Sequence, residues 1–137
     1  MNATIRTRVF GATASAGRDG LPEVTSETGG RLSVVTRPSA EGFSPVDLLA
    51  ASLASCIAIS VQSAARAEGW LAAIERVTVR VIPEKAEEGP SRIARFATTV
   101  TIDGPLDADT KARLIATAET LCTVSNTLRS GAAMHEG

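Results

Sequence analysis

Residues 44–69 are the longest segment of the chain with a single pattern, because no charged residue follows Asp47 until the last turn of the segment. Ser44 is a suitable N-cap, Pro45 suits the first helical position, and Gly69 suits a left-handed stop. The segment therefore predicts one long helix. Since it is apolar on nearly all sides, we expect it to be buried on nearly all sides.

Short segments rich in Thr and Val precede this helix and are separated by turns that contain glycine. Such segments are typical of short strands joined by tight turns. The pattern predicts an antiparallel meander of three strands, over residues 3–14, 23–28 and 32–36.

Alternation of apolar and polar residues returns after the long helix. Residues 74–81 and 94–102 flank a charged turn and predict a β-hairpin with one solvated face. A second helix follows with Asp107 as its cap, and Thr123 interrupts it before a short final helix. From Gly131 onward we expect a brief strand or a frayed tail.

The order of these elements is strands, long helix, two strands, helix and short helix. Because strands and helices do not alternate strictly, the order predicts an α+β fold rather than a parallel α/β fold. A length of 137 residues fits one domain over residues 1–137.

The composition of the chain argues against several classes of function. The 14 basic and 15 acidic residues nearly cancel and form no basic run, which argues against nucleic acid as a partner. The N-terminus lacks the pattern of a signal peptide, so we expect a cytoplasmic protein. The serines and Gln62 of the long helix favour a core helix over a membrane-spanning one. An apolar helix in a chain with few large side chains also suggests a homodimer.

The two cysteines, Cys56 and Cys122, are the candidates for chemistry. Both fall on predicted helix faces that point into the core, and their spacing is not a metal-binding pattern. One interpretation is that they are inert, because free cysteine is often a small buried hydrophobe. In the cytoplasm both are expected to be reduced thiols.

Two motifs resemble signatures of the OsmC/Ohr family. The segment S-P-V-D-L-L-A-A-S-L-A-S-C, residues 44–56, resembles the family's long helix with its reactive cysteine. The segment L-C-T-V-S-N-T-L, residues 121–128, resembles its second signature, C-P-V-S followed by a small helix. The order of elements also agrees with that family along essentially the whole chain.

The resemblance implies an OsmC-like fold and an intertwined homodimer with sites at the subunit interface. It implies a cofactor-free thiol peroxidase that reduces organic hydroperoxides, with Cys56 as the peroxidatic thiol and Cys122 as the resolving thiol. The expected partners are an organic hydroperoxide and a dithiol reductant such as a lipoylated protein, with no membrane and no metal.

A buried thiolate needs a positive partner, because burial alone opposes ionisation. Arg18 and Arg37 resemble arginines of the two peroxidase branches, and Arg37 is favoured because it lies just ahead of the helix with Cys56. The alternatives are a solvated hairpin tip for Arg18 and a surface charge for Arg37.

The sequence departs from the family pattern at two positions. Val46 occupies the usual Glu position and Asp47 follows it, as in the S-P-x-E subgroup; Asp47 is either the acidic partner of the arginine or a capping residue. Thr123 replaces the family's Pro. The departure at Val46 and Asp47 leaves a second function open, a non-catalytic protein that binds a small apolar or electrophilic ligand in the interface pocket. A third possibility is a stable dimer with buried thiols and no pocket.

Overall fold

The computed structural model describes residues 8–136. The chain forms two compact units, an N-terminal unit that ends at Leu48 and a C-terminal unit that begins at Leu49. The prediction of one domain over the whole chain stays a prediction. In chain order the elements are β1 (Ala12–Ser15), β2 (Glu23–Ser26), β3 (Arg31–Ser33), α1 (Pro45–Glu68), a 3-10 turn (Leu71–Ala73), β4 (Arg76–Lys85), β5 (Ile93–Asp103), α2 (Ala108–Leu121) and α3 (Thr123–Ser130).

The N-terminal unit contains an antiparallel sheet in the order β1-β2-β3, which confirms the predicted meander. Val24 in the central strand lies opposite both Ala14 and Leu32. The strands are shorter than predicted, and residues 3–7 of the first predicted strand lie outside the described residues.

Helix α1 begins and ends where its capping residues predict. Ser44 and Asp47 form a reciprocal capping box, in which the Asp47 amide donates to Ser44 Oγ at 3.1 Å and the Ser44 amide donates to Asp47 Oδ2 at 3.0 Å. At the other end Gly69 has φ of 80°, and the Trp70 amide donates to the Ala65 carbonyl at 2.8 Å. This pattern is a glycine-based C-terminal stop.

Strands β4 and β5 form the predicted antiparallel hairpin, with Val77 opposite Ile102 and Val79 opposite Val100. Along β4 half-buried and exposed side chains alternate, so one face packs on the core and the other is solvated. The first strand of the hairpin extends further than predicted, because β4 continues into the charged segment as far as Lys85.

The core of the C-terminal unit lies between α1, the hairpin and α2. Its largest fully buried side chains are Leu114, Val61 and Cys122. Asp107 caps α2 as predicted, accepting from the Thr110 amide at 2.7 Å. Residues 131–136 form no regular element.

The expectation that α1 is buried on nearly all sides is not met within one chain. The hairpin and α2 cover one face, whereas Ile59 is 61% exposed and Leu49 is 36% exposed. By length and composition α1 could cross a membrane, a test that core helices of soluble proteins also pass. Its buried face, with Leu53, Ile57 and Val61, is that of a core helix.

Candidate active site

The structure brings together the two cysteines, although they lie far apart in the sequence. Cys56 is in the middle of α1 and is half-buried, whereas Cys122 lies between α2 and α3 and is fully buried. Both are free thiols, and both belong to the packed core of the C-terminal unit.

Besides carrying a thiol, Cys122 ends helix α2 and caps helix α3. Its amide donates to the Ala118 carbonyl at 3.0 Å and so closes α2. Its sulfur accepts from the Ser125 amide at 3.3 Å and so caps α3, in the place where Ser, Thr, Asp or Asn usually stands. The predicted break between the two helices is present but lies at Cys122, one residue before Thr123, which begins α3.

The surroundings of Cys56 favour its ionised form. Burial opposes ionisation, but the Val124 amide, the Cys122 thiol, the Thr123 amide and the Ser60 hydroxyl together lower the pKa of the Cys56 thiol below its ordinary value.

The surroundings of Cys122, in contrast, favour its neutral thiol form. Burial raises the pKa of the Cys122 thiol, the neighbouring Cys56 sulfur raises it further, and the Ser125 and Val124 amides only partly offset this. Of the two thiols, Cys56 therefore loses its proton first, and Cys122 keeps its proton to higher pH.

Ser60 is a site residue that sequence reasoning missed. It is buried one helical turn after Cys56, and its hydroxyl helps to lower the pKa of Cys56. Ser52 and Ser55, by contrast, bond back to their own helix, because they donate to the Leu49 and Ala51 carbonyls. The spacing between Cys56 and Ser60 was the sequence signal that could have identified Ser60 as a site residue.

The predicted charged residues belong to the N-terminal unit. Arg18 lies between β1 and β2, Arg37 lies in the bends after β3, and both are exposed. Within residues 8–136 neither forms an ion pair. Asp47 is occupied by the capping box, and the Ser44 amide and hydroxyl hold the pKa of its carboxyl below the usual value. The roles of Arg18, Arg37 and Asp47 in chemistry stay predictions.

A cavity of about 550 Å³ lies in the C-terminal unit beside the cysteine pair. Leu53 and Ile57, which flank Cys56 on α1, line one side. Ser125, whose amide bonds to Cys122, lines another. Neither sulfur lines the cavity. The remaining lining is mixed, with apolar Leu49, Phe96 and Leu128 and charged Arg95, Glu119 and Arg129.

Nothing in residues 8–136 resembles a metal site, because no group of three or more His, Cys, Asp or Glu side chains is close enough to share an ion. His135 is exposed, and its Nδ1 lies 3.2 Å from the Glu136 carbonyl oxygen.

The fold and the paired thiols define an α+β protein with a long cysteine-bearing helix. Residues 38–136 match the model of the family described as OsmC-like protein, so the chain belongs to the OsmC-like family. This match confirms the resemblance of the two cysteine motifs to the OsmC/Ohr family. No match was found among proteins with curated functional descriptions.

Solved structures with the same fold include three bacterial proteins. An OsmC-like protein from Mycoplasma pneumoniae has a TM-score of 0.79 and 20% identity, covering 92% of this chain and 91% of its own. An organic hydroperoxide resistance protein from Legionella pneumophila has a TM-score of 0.72 and 22% identity, covering 91% and 92%. The organic hydroperoxide resistance protein OhrB of Bacillus subtilis has a TM-score of 0.67 and 23% identity, covering 90% and 93%.

Proposed function

We propose that the protein is a thiol-dependent peroxidase that reduces organic hydroperoxides. The observation that carries this proposal is the pairing of Cys56, whose pKa is lowered, with Cys122, whose pKa is raised. A thiol that ionises readily beside one that keeps its proton is the arrangement that a two-cysteine peroxidase needs. The names of the Legionella and Bacillus relatives point to the same substrate class.

In the proposed reaction the Cys56 thiolate attacks one peroxide oxygen, and the O–O bond breaks. The alcohol departs after taking up a proton, and Cys56 becomes a sulfenic acid. Cys122 then loses its proton and attacks the Cys56 sulfur, and water leaves as the disulfide forms. The peroxide has gained two electrons from the thiol pair. An external dithiol, such as a lipoylated protein, would return them through thiol–disulfide exchange.

The proposed mechanism also includes a cation. We assign to Arg37, with Arg18 as the alternative, the role of orienting the peroxide and stabilising the departing oxygen, since a guanidinium presents several donors in a fixed plane. Asp47 would hold that arginine with the carboxylate oxygen that the capping box leaves free.

We further propose that the active species is a cytoplasmic homodimer. The exposed apolar side chains on α1, Ile59 above all, support this, because a second copy would remove them from water. Light scattering tests the assembly, and a monomeric mass at micromolar concentration would refute it.

The test of the function is a thiol count. One equivalent of cumene hydroperoxide added to the reduced protein should remove two free thiols per chain, and peptide mass spectrometry should find Cys56 joined to Cys122. An unchanged thiol count after the chain has been shown to be folded and reduced would reject the peroxidase.

The cavity supports a second candidate, a protein that binds a small apolar or electrophilic ligand without turning it over. Its lining combines apolar and charged side chains and lies beside the sulfur atoms without including them. Native mass spectrometry distinguishes the two candidates, because this one predicts a ligand carried through purification and thiols that react slowly with peroxide.

A further inference from the structure

The cavity of about 550 Å³ beside the cysteine pair has the volume of a small-molecule site, for which about 300–1,000 Å³ is usual. Its apolar lining comes from three elements, with Leu53 on α1, Phe96 on β5 and Leu128 on α3. Leu53 is buried, and Phe96 and Leu128 are half-buried. The apolar body of a ligand would leave water on packing against these side chains, which is favourable for any head group.

Three charged side chains also line the cavity, and they differ in whether their charge is already paired. Arg95 Nε lies 2.6 Å from Glu84 Oε2, in an ion pair. Glu119 and Arg129 form no ion pair within residues 8–136. The cavity therefore offers a ligand one unpaired cation and one unpaired anion.

Arg129 is held at the cavity by a residue that also contacts Cys122. Its Nε donates to Ser125 Oγ at 3.2 Å, and Ser125 is only 7% exposed. The Ser125 amide in turn donates to Cys122 Sγ at 3.3 Å. Because Nε is used, the two Nη groups of Arg129 remain for a ligand, and two such donors in one plane match the two oxygens of a carboxylate.

We propose that the cavity binds a small amphipathic carboxylate, whose two oxygens accept hydrogen bonds from the Nη groups of Arg129. The apolar body of this ligand packs against Leu53, Phe96 and Leu128. This binding site rests on the cavity of the proposed function and specifies the chemical class of its occupant. It requires no thiol chemistry.

The apolar contacts give affinity, and the charge of Arg129 gives the choice of head group. A hydrogen bond between an ionised donor and an ionised acceptor is stronger than one between neutral groups. A guanidinium that Ser125 already holds also loses less freedom when the ligand binds. The Glu119 carboxylate acts in the opposite direction, because it repels an anionic ligand and attracts a cationic one.

Isothermal titration calorimetry on the reduced full chain compares octanoate, octan-1-ol and octylamine, which share one apolar chain and differ in the head group. We expect octanoate to bind about tenfold more tightly than the other two at neutral pH. Equal affinities for octanoate and octan-1-ol, or tighter binding of octylamine, would overturn the proposal. So would the absence of octanoate binding, which is the result expected if a second copy of the chain fills the cavity.

Substitution of Arg129 tests the residue. Arg129→Gln should bind octanoate about tenfold more weakly and octan-1-ol as the wild type does. Arg95→Gln is the matched control, because Arg95 lines the same cavity but is already paired with Glu84; its affinity for octanoate should stay within about twofold of wild type. Glu119→Gln should bind octanoate at least as tightly as wild type. Equal losses in Arg129→Gln and Arg95→Gln, or a loss in Glu119→Gln, would contradict the assignment.

Nuclear magnetic resonance of the unsubstituted protein keeps the proposal testable should Arg129→Gln fail to fold. The Nε–H signal of Arg129 should shift on addition of octanoate and not on addition of octan-1-ol. A signal that does not respond to octanoate would overturn the proposal. Octanoate has no peroxide bond, so these outcomes are independent of the thiol count that tests the peroxidase.

Discussion

The thiols of Cys56 and Cys122 have pKa values displaced in opposite directions, although the two residues are neighbours in one core. Cys56 is half-buried and lies near amide, hydroxyl and thiol donors, whereas Cys122 is fully buried. The asymmetry supports the different roles proposed for these two residues of the same type.

The first prediction concerns the different roles proposed for Cys56 and Cys122. Cys56→Ser should abolish peroxide turnover, because it removes the nucleophile. Cys122→Ser should retain the first step and accumulate a sulfenic acid at Cys56, detected by mass spectrometry as a dimedone adduct. Equal turnover in the two variants would contradict the assignment.

The lowered pKa of Cys56 also predicts how stability depends on pH. The unfolded chain binds more protons than the folded one between the lowered pKa and the ordinary thiol value of 9.0, so this contribution is full above 9.0 and is lost as the pH falls through the folded pKa. Cys122, with its raised pKa, has the opposite sign.

Comparing Cys122→Ser with the double variant Cys56→Ser/Cys122→Ser isolates the Cys56 contribution. The difference in their free energies of unfolding, measured with urea, should grow as the pH rises toward 9.0, the ordinary thiol value. A difference that is constant over this range would mean that Cys56 ionises alike in the folded and unfolded chains.

Ser60→Ala should slow the alkylation of Cys56 at neutral pH by about threefold, because the thiolate fraction falls as the pKa of the thiol rises. The reason is the loss of the buried hydroxyl near the sulfur. Ser55→Ala is the control, because Ser55 is exposed and donates to the Ala51 carbonyl at 2.7 Å. If both variants slow the reaction equally, the effect is one of helix stability.

The two arginines can be separated by activity. We expect Arg37→Gln to lower kcat/KM for cumene hydroperoxide by about 100-fold, the typical effect of removing a donor to developing charge. Arg18→Gln should have an effect of less than about twofold if Arg37 alone orients the peroxide. The reverse order of effects would transfer the role to Arg18.

The capping box predicts a stability effect that is separate from chemistry. Ser44→Ala should lower the free energy of unfolding by about 1 kcal/mol, whereas Ser39→Ala, in the exposed loop, should not. The contribution from Asp47 is present above its ordinary pKa of 3.8 and is lost as the pH falls through the lowered value. Urea unfolding at neutral and acid pH measures both effects.

The sequence predicted the helices and strands whose limits depend on residues close together in the chain. The limits of α1 follow from Ser44, Asp47 and Gly69, because caps act within one turn. The hairpin follows from the alternation of its two segments, and the structure adds the register, in which Val79 lies opposite Val100. The α+β order and the two cysteine motifs are likewise patterns of neighbouring residues, so the sequence alone was enough to predict them.

The details of the site could not be predicted in this way, because they depend on contacts between distant segments. The Val124 amide and the Cys56 thiol meet only once α3 packs beside α1. Ser60 resembled the other helix serines until its burial separated it from the exposed Ser55. The exposed Ile59 likewise reflects which face of α1 the rest of the chain leaves uncovered.

The cap that Cys122 supplies to α3 bears on how readily a disulfide would be reduced. A sulfur bonded to Cys56 would be a poorer and displaced acceptor for the buried Ser125 amide, now 3.3 Å away. A buried donor without its partner costs about 1–3 kcal/mol, so the oxidised form would carry a penalty that the dithiol does not. Reduction would restore the helix start, which favours a bond that is made and broken in each cycle over a permanent crosslink.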